Sequence, residues 1–193
     1  MSSPFERGES LNMYVGEDAV RTLLKEIGQD ISREGIVDTP KRVMKALREM
    51  TAGYGEDPAM ILATRFEAKY DQMVVLKDIA FTSLCEHHLL PFVGTATVGY
   101  IPTTHVVGLS KLARLVLCYA RRLQLQEQMT TQIAEALQEH LQPSGVGVVV
   151  KAAHQCMACR GVRLSGATMV TSALLGAMRT VPSARAEFMG LST

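Results

Sequence analysis

Two short segments carry most of the metal-seeking chemistry of this chain, Cys85-Glu86-His87-His88 and His154-Gln155-Cys156-Met157-Ala158-Cys159-Arg160. Thiolate and imidazole are ligands that zinc prefers. The C-x-x-H spacing lets one of each reach the same ion from a single turn. Further along, the run from Val146 to Cys156 reads as a strand, and alternation puts Val146, Val148, Val150, Ala152, His154 and Cys156 on one face. That face is apolar for most of its length and then ends in an imidazole and a thiol. An unpaired polar group there costs roughly a few kcal/mol, so a metal or a substrate is expected to meet the pair.

The number of ligands decides what the metal does. Four protein ligands close the shell of a zinc ion and make it structural; three leave a place for water, whose pKa the ion lowers to about 7. Cys85, His88 and Cys156 make an open site. Adding Cys159 makes C-x-x-H…C-x-x-C, a closed one, and spacing alone does not choose between them. Cys118 falls inside an amphipathic helical pattern and reads as a small core residue.

A third constellation follows a predicted pair of helices: Ser110, Lys111 and Arg114, then Arg121-Arg122, then Gln126-Glu127. Lys111 and Arg114 share a face at a helix start, where backbone N–H groups already favour an anion. Glu127 opens the next helix. Its carboxylate suits the N1–H and exocyclic amine of a guanine, or simply a helix N-terminus. Arg42 and Lys45, three apart on an earlier helix, fit a solvated basic face equally well.

These residues need elements to hold them. From Glu17 the pattern is helical, with Val20, Leu23, Leu24 and Ile27 in one stripe and Gly28 as a stop. Thr39-Pro40 opens a second helix, with Thr39 as cap and Pro40 in the first position. Met73–Phe81 and Val93–Ile101 read as strands, Leu109–Arg122 and Gln126–Leu141 as helices. Arg160–Val170 is expected to be a further strand, with short helices near Thr171–Met178 and Pro182–Met189. Strands that follow one another directly argue for antiparallel pairing and an α+β fold.

Composition sets the outer bounds. A chain of 193 residues fits one domain, or one domain with a helical arm. A net charge of +1 gives no basic field for nucleic acid, so cations for an anionic ligand must be gathered locally. The first dozen residues are polar and are expected to be mobile; they lack the apolar stretch of a secretory signal. No apolar run approaches the roughly 20 residues that span a bilayer. No membrane role and a cytoplasmic location are therefore expected, where four cysteines read as ligands or thiols before disulfides.

The motifs taken together resemble GTP cyclohydrolase I. They run C-E-H-H-L-L-P-F-V-G, V-G-Y-I-P, G-L-S-K-L-A-R, Y-A-R-R-L-Q-L-Q-E, Q-P-S-G-V-G-V-V-V and H-Q-C-M-A-C-R-G-V, with D-T-P-K-R-V-M-K-A before them and V-T-S-A-L-L-G after. The resemblance covers nearly everything beyond the first dozen residues. It implies an N-terminal helical region over 1–66 and a T-fold catalytic domain over 67–193, an antiparallel sheet with paired helices. It implies a homodecamer of two pentamers with active sites at subunit interfaces. The implied reaction turns GTP and water into 7,8-dihydroneopterin triphosphate and formate, the entry to folate or other pterin synthesis.

Carried over residue by residue, the resemblance puts zinc on Cys85, His88 and Cys156, with Cys159 outside the set. It makes His154 the acid–base group for opening the ring at C8 and His87 a second proton-handling residue. Gln126 and Glu127 fall on guanine recognition. Ser110, Lys111, Arg114 and Arg160 fall around the ribose and triphosphate, and Arg42 and Lys45 on basic positions offered by a neighbouring subunit. Cys159 departs from the family pattern and brings a thiol that could pair with Cys156. The short N-terminal segment leads one to expect no regulatory extension. Two rivals predict different behaviour: a structural-zinc binding module would need Cys159 as a ligand, and a pterin-binding T-fold relative would bind product-like molecules without GTP turnover. A zinc nucleobase deaminase is disfavoured because its H-x-E…P-C-x-x-C signature is missing.

Overall fold

The computed structural model describes residues 13–67 and 69–192; the expectation of a mobile first dozen residues lies outside them. The chain opens with α1 (Met13–Glu26), α2 (Thr39–Met50), a 3-10 turn (Ala52–Gly55) and the short α3 (Pro58–Ile61). β1 (Arg65–Glu67) follows, then β2 (Val74–Cys85), β3 (Pro91–Ile101) and β4 (His105–Val107). The helix pair α4 (Leu109–Ala120) and α5 (Gln126–Leu141) flanks a two-residue strand, β5 (Leu123–Gln124). β6 (Gly145–His154), the one-turn α6 (Gln155–Ala158), β7 (Met169–Gly176), α7 (Ala177–Thr180) and α8 (Pro182–Leu191) complete the chain.

The main sheet has the order β5-β2-β3-β6-β7, antiparallel throughout except for the β5 edge, which runs parallel to β2. β1 and β4 form a separate antiparallel pair. Two hairpins separated by a helix pair, behind an N-terminal helical region, give the α+β architecture expected of the T-fold. No helix among the described residues is long and apolar enough to cross a membrane.

One face of the sheet is covered by the helix pair. Leu112, Leu115 and Val116 of α4 and Met129, Ile133 and Leu137 of α5 are fully buried against Phe81, Phe92, Val98, Tyr100, Val146, Val148 and Val150. Each such side chain contributes about 1.5–3 kcal/mol on burial. α5 has no side-chain cap at Leu125, so this packing rather than capping fixes its position. The opposite face is covered more thinly by Phe188 and Met178 around Val149. Phe188 lies in a groove that Gly147 makes possible, because a Cβ there would sit 2.5 Å from the ring.

The element boundaries differ from the sequence expectation in several places. α1 starts at Met13 rather than Glu17, and Gly28 (φ +80°) ends it in a Schellman arrangement, with Gly28 N–H donating to Lys25 and Gln29 N–H to Leu24. The first helical bond runs from Arg42 N–H to the Asp38 carbonyl, so Asp38 takes the cap position, Thr39 is the first helical residue and Pro40 the second. β2 runs on to Cys85. β6 stops at His154, where its partner β3 runs out: Phe92 opposite His154 is the last pair. Cys156 therefore sits on a helical turn, not on the strand face.

No strand forms over 160–168, where Gly161, Arg163 and Gly166 all adopt left-handed backbone. Thr171–Gly176 is strand rather than helix, paired with β6. A short apolar run such as Ala173-Leu174-Leu175 does not distinguish the two by period alone.

Candidate active site

The hairpin between β2 and β3 is tight. Cys85 N–H donates to the Leu90 carbonyl, and the Cys85 carbonyl accepts from both His88 and Leu89 N–H. Leu89 takes a positive φ of 53° to close the turn. Cys85 is thereby fixed at the end of a core strand and is 6% exposed. Three residues on, the reversing chain brings His88 Nδ1 to 3.8 Å from Cys85 Sγ. The turn of α6 adds Cys156, and one ligand atom from each of the three lies within 4.8 Å of the others.

Burial first, and the neighbouring Cys85 second, push the Cys156 thiol above its ordinary range. Two crowded sulfurs resist ionising together, and a cation between them would remove that resistance. Two thiols and an imidazole at this spacing fit a soft divalent ion. Cys159 is exposed and turns away, its thiol donating to the Gln155 carbonyl at 2.9 Å.

His154 stands beside this group at the end of β6. Its ring lies flat on Phe92, the residue opposite it across the β3–β6 ladder, with centroids 4.7 Å apart and planes 2° from parallel. Phe92 is held in turn by an edge contact with Phe81 at 5.9 Å. Burial lowers the affinity of the imidazole for a proton, and the nearby Glu127 carboxylate pulls the other way. His154 Nε2 lies 2.8 Å from the Gln126 side-chain oxygen.

Gln126 and Glu127 begin α5 but face different ways. Gln126 is 1% exposed, and its amide is taken up inside the protein; Glu127 is exposed. His87 is exposed too, its ring 6.1 Å from that of His88 and edge-on to it.

The remaining basic residues are placed elsewhere. The C-terminal end of α4 leads through β5 to Cys85, which pairs with Gln124. Ser110 lies ten residues back along that helix, about 15 Å away at 1.5 Å per residue. Lys111 and Arg114 line an open cleft of about 480 Å³ with Glu56, Asp57 and Arg121. Arg160 is exposed just after α6. On α2, Arg42 and Lys45 are paired loosely with acids one turn away, Asp38 at 3.4 Å and Glu49 at 3.8 Å. One chain thus brings together Cys85, His88 and Cys156, and sets His154 near Gln126 and Glu127, while Ser110, Lys111 and Arg114 lie further back along α4.

Three contributors escaped the reading of the sequence. Phe92 is identified by cross-strand register, which needs the pairing to be known. Thr130 is one helical turn after Gln126, a spacing that does mark it as a neighbour. Thr171 was hidden by the helix expected around it.

Comparisons with known proteins identify the family. The family model described as GTP cyclohydrolase I matches residues 16–193. The chain is 55% identical over 177 residues to GTP cyclohydrolase 1 of Thermobifida fusca, covering 91% of this chain and 86% of that one. It is 51% identical over 172 residues to the Nitrosospira multiformis protein of the same name, covering 88% and 90%. A crystal structure of the archaeosine synthase QueF-Like in the apo form aligns with a TM-score of 0.47 and 23% identity, over 56% of this chain and 97% of that one. The match from the first helix to the C-terminus, with half of the aligned residues identical, leaves one assignment: the chain belongs to the GTP cyclohydrolase I family.

Proposed function

We propose that this GTP cyclohydrolase works as a zinc enzyme, with the ion held by Cys85, His88 and Cys156, and that it converts GTP and water to 7,8-dihydroneopterin triphosphate and formate. The observation that carries the reading is the convergence of those three ligand atoms within 4.8 Å, beside His154 and with Cys159 turned away. Three ligands leave a coordination position open. Zinc bound there supplies Lewis acidity and activates water for attack on the purine.

The chain's own residues do the rest. His154, stacked on Phe92, takes a proton from the attacking water and passes it to the ring nitrogen as C8 becomes tetrahedral and the imidazole ring opens. His87, on the exposed hairpin turn, is a second proton-handling residue. Glu127 accepts from N1–H and the 2-amine of guanine, a bidentate contact that adenine does not offer. Lys111, Arg114, Ser110 and Arg160 take the ribose and triphosphate, assisted by Arg42 and Lys45.

The separation of Lys111 and Arg114 from the metal group along α4 favours a site shared between copies. We assign the protein to a homo-oligomer, a decamer of two pentamers in which one subunit presents the metal and base-binding half and its neighbour the phosphate-binding half. The segment 1–66 then serves as the arm and 67–193 as the catalytic domain.

The test is incubation of purified, reduced protein with GTP, with and without a zinc chelator, following formate and the fluorescence of oxidised pterin. Both products are expected, lost on chelation and regained with zinc. Absence of formate from fully metallated oligomer would overturn the reading.

A further inference from the structure

Gln126 sits where α5, β6 and β7 meet, and every polar atom of its amide has a partner. The amide nitrogen lies 3.1 Å from the Val150 carbonyl, the Met169 carbonyl and the Thr171 hydroxyl. Carbonyl oxygens only accept, so the nitrogen must face them; a flipped amide would put oxygen against oxygen. The amide oxygen therefore points at His154 Nε2, and that nitrogen is the donor.

The hydroxyls lock this orientation further. Thr130 donates to the Gln126 backbone carbonyl at 2.7 Å, which uses its only proton. In the 2.7 Å contact between the two threonines, Thr171 must then be the donor. Each hydroxyl thus passes the direction on: Gln126 amide to Thr171, Thr171 to Thr130, Thr130 back to the Gln126 backbone. The amide shares its two N–H groups among three acceptors, and reversing it would set its oxygen against the Val150 and Met169 carbonyls.

We infer that Gln126 is a positioning residue that fixes His154 as the Nε2–H tautomer, so that Nδ1 is the ring atom that meets the substrate. The inference rests on the reading of His154 given above, and it removes the Gln126 side chain from base recognition. Phe92 sets the plane of the imidazole and Gln126 its rotation within that plane, so the two together define where Nδ1 can be. The Nε2 proton stays with Gln126 while Nδ1 accepts and returns the proton that moves.

The direct test is the solid-state ¹⁵N spectrum of zinc-loaded protein with labelled histidine. The chain has five histidines, so a difference spectrum against His154→Ala picks out the ring. A single Nε2–H pattern is expected in the wild type, and a proton on Nδ1 instead would overturn the inference whether or not any Gln126 variant folds. Gln126→Ala should mix the tautomers and lower kcat about 10- to 100-fold, with KM for GTP held within about threefold.

A rise in KM of about tenfold or more at unchanged kcat would make Gln126 a substrate contact and refute the positioning role. Thr171→Val, which removes one hydroxyl from the circuit and keeps the amide's two carbonyl partners, should cost less kcat than Gln126→Ala; a larger cost would count against the circuit as drawn. Full turnover by His154→Ala would remove the acid–base assignment and leave the spectroscopic result standing, so the two claims fail separately.

Discussion

Cys156 and Cys159 are three residues apart on one helical turn, and replacing each by serine should have opposite consequences for the metal. Cys156 Sγ is one of three atoms within 4.8 Å of one another. Zinc bound by four such ligands is worth about 10–16 kcal/mol, or about 2.5–4 kcal/mol for each, so Cys156→Ser should weaken zinc about 100- to 1000-fold. Cys159 is exposed and makes one contact, to the Gln155 carbonyl at 2.9 Å, which a serine hydroxyl can also make. Its replacement should change stability by less than about 0.5 kcal/mol and zinc affinity by less than about threefold. Competition against a chromogenic chelator, on protein kept reduced, measures both, and formate release measures the consequence. Equal loss of zinc in the two variants would mean four ligands and a closed shell, and the catalytic assignment would fall with it.

Glu127→Gln exchanges a charged acceptor for a neutral amide, and kcat/KM should fall about 10- to 150-fold for GTP but far less for inosine triphosphate, which lacks the 2-amine; an unchanged ratio between the two refutes the base assignment. Gly53→Ala places a Cβ 2.1 Å from the Cys118 carbonyl and lifts the 3-10 turn off α4, costing about 1–3 kcal/mol. Gly55→Ala, with no neighbouring atom within 4 Å, serves as its control; thermal unfolding at fixed zinc and protein concentration should separate them, and equal Tm values would show that the clash relaxes freely. Mixing inactive Lys111→Ala and His154→Ala chains during refolding should restore activity at about one site in four if each site uses both chains. No recovery from a mixture that co-assembles would place both residues within one subunit's site.

The chemistry was more legible in the sequence than the architecture. Cys85, His88 and Cys156 stand out by type and spacing, and their ligand atoms do lie close together; strand periodicity also puts His154 on the face it shares with Val150 and Ala152. It failed one turn later. Cys156 was assigned the same strand face, and what ended the strand was the length of β3, a tertiary fact that no local pattern encodes. The helix pair was read almost to the residue because α4 and α5 are long and periodic. The region after Cys159 was misread because three left-handed residues break it, one of them the non-glycine Arg163. Gln126 and Glu127 are adjacent at a helix start, yet a rotation of about 100° per residue sends the first inward and leaves the second in solvent, which residue type alone does not tell.

The sheet order also dictates when the donor set can exist. β2 and β3 join through the short turn at Cys85–Leu90 and can pair early, carrying Cys85 and His88. Cys156 and His154 arrive with β6, which reaches β3 only after the connection from Pro102 to Ser144 has closed. Closures over such separations are slow relative to local hairpins. A folding chain therefore offers a metal one thiol and one imidazole first, a weak two-donor fragment, and completes the set only at the central step of sheet formation. If the three donors hold an ion as proposed, its loading is a late event, and a chelator present during refolding should leave the rate of sheet closure unchanged while preventing the gain of activity that follows it.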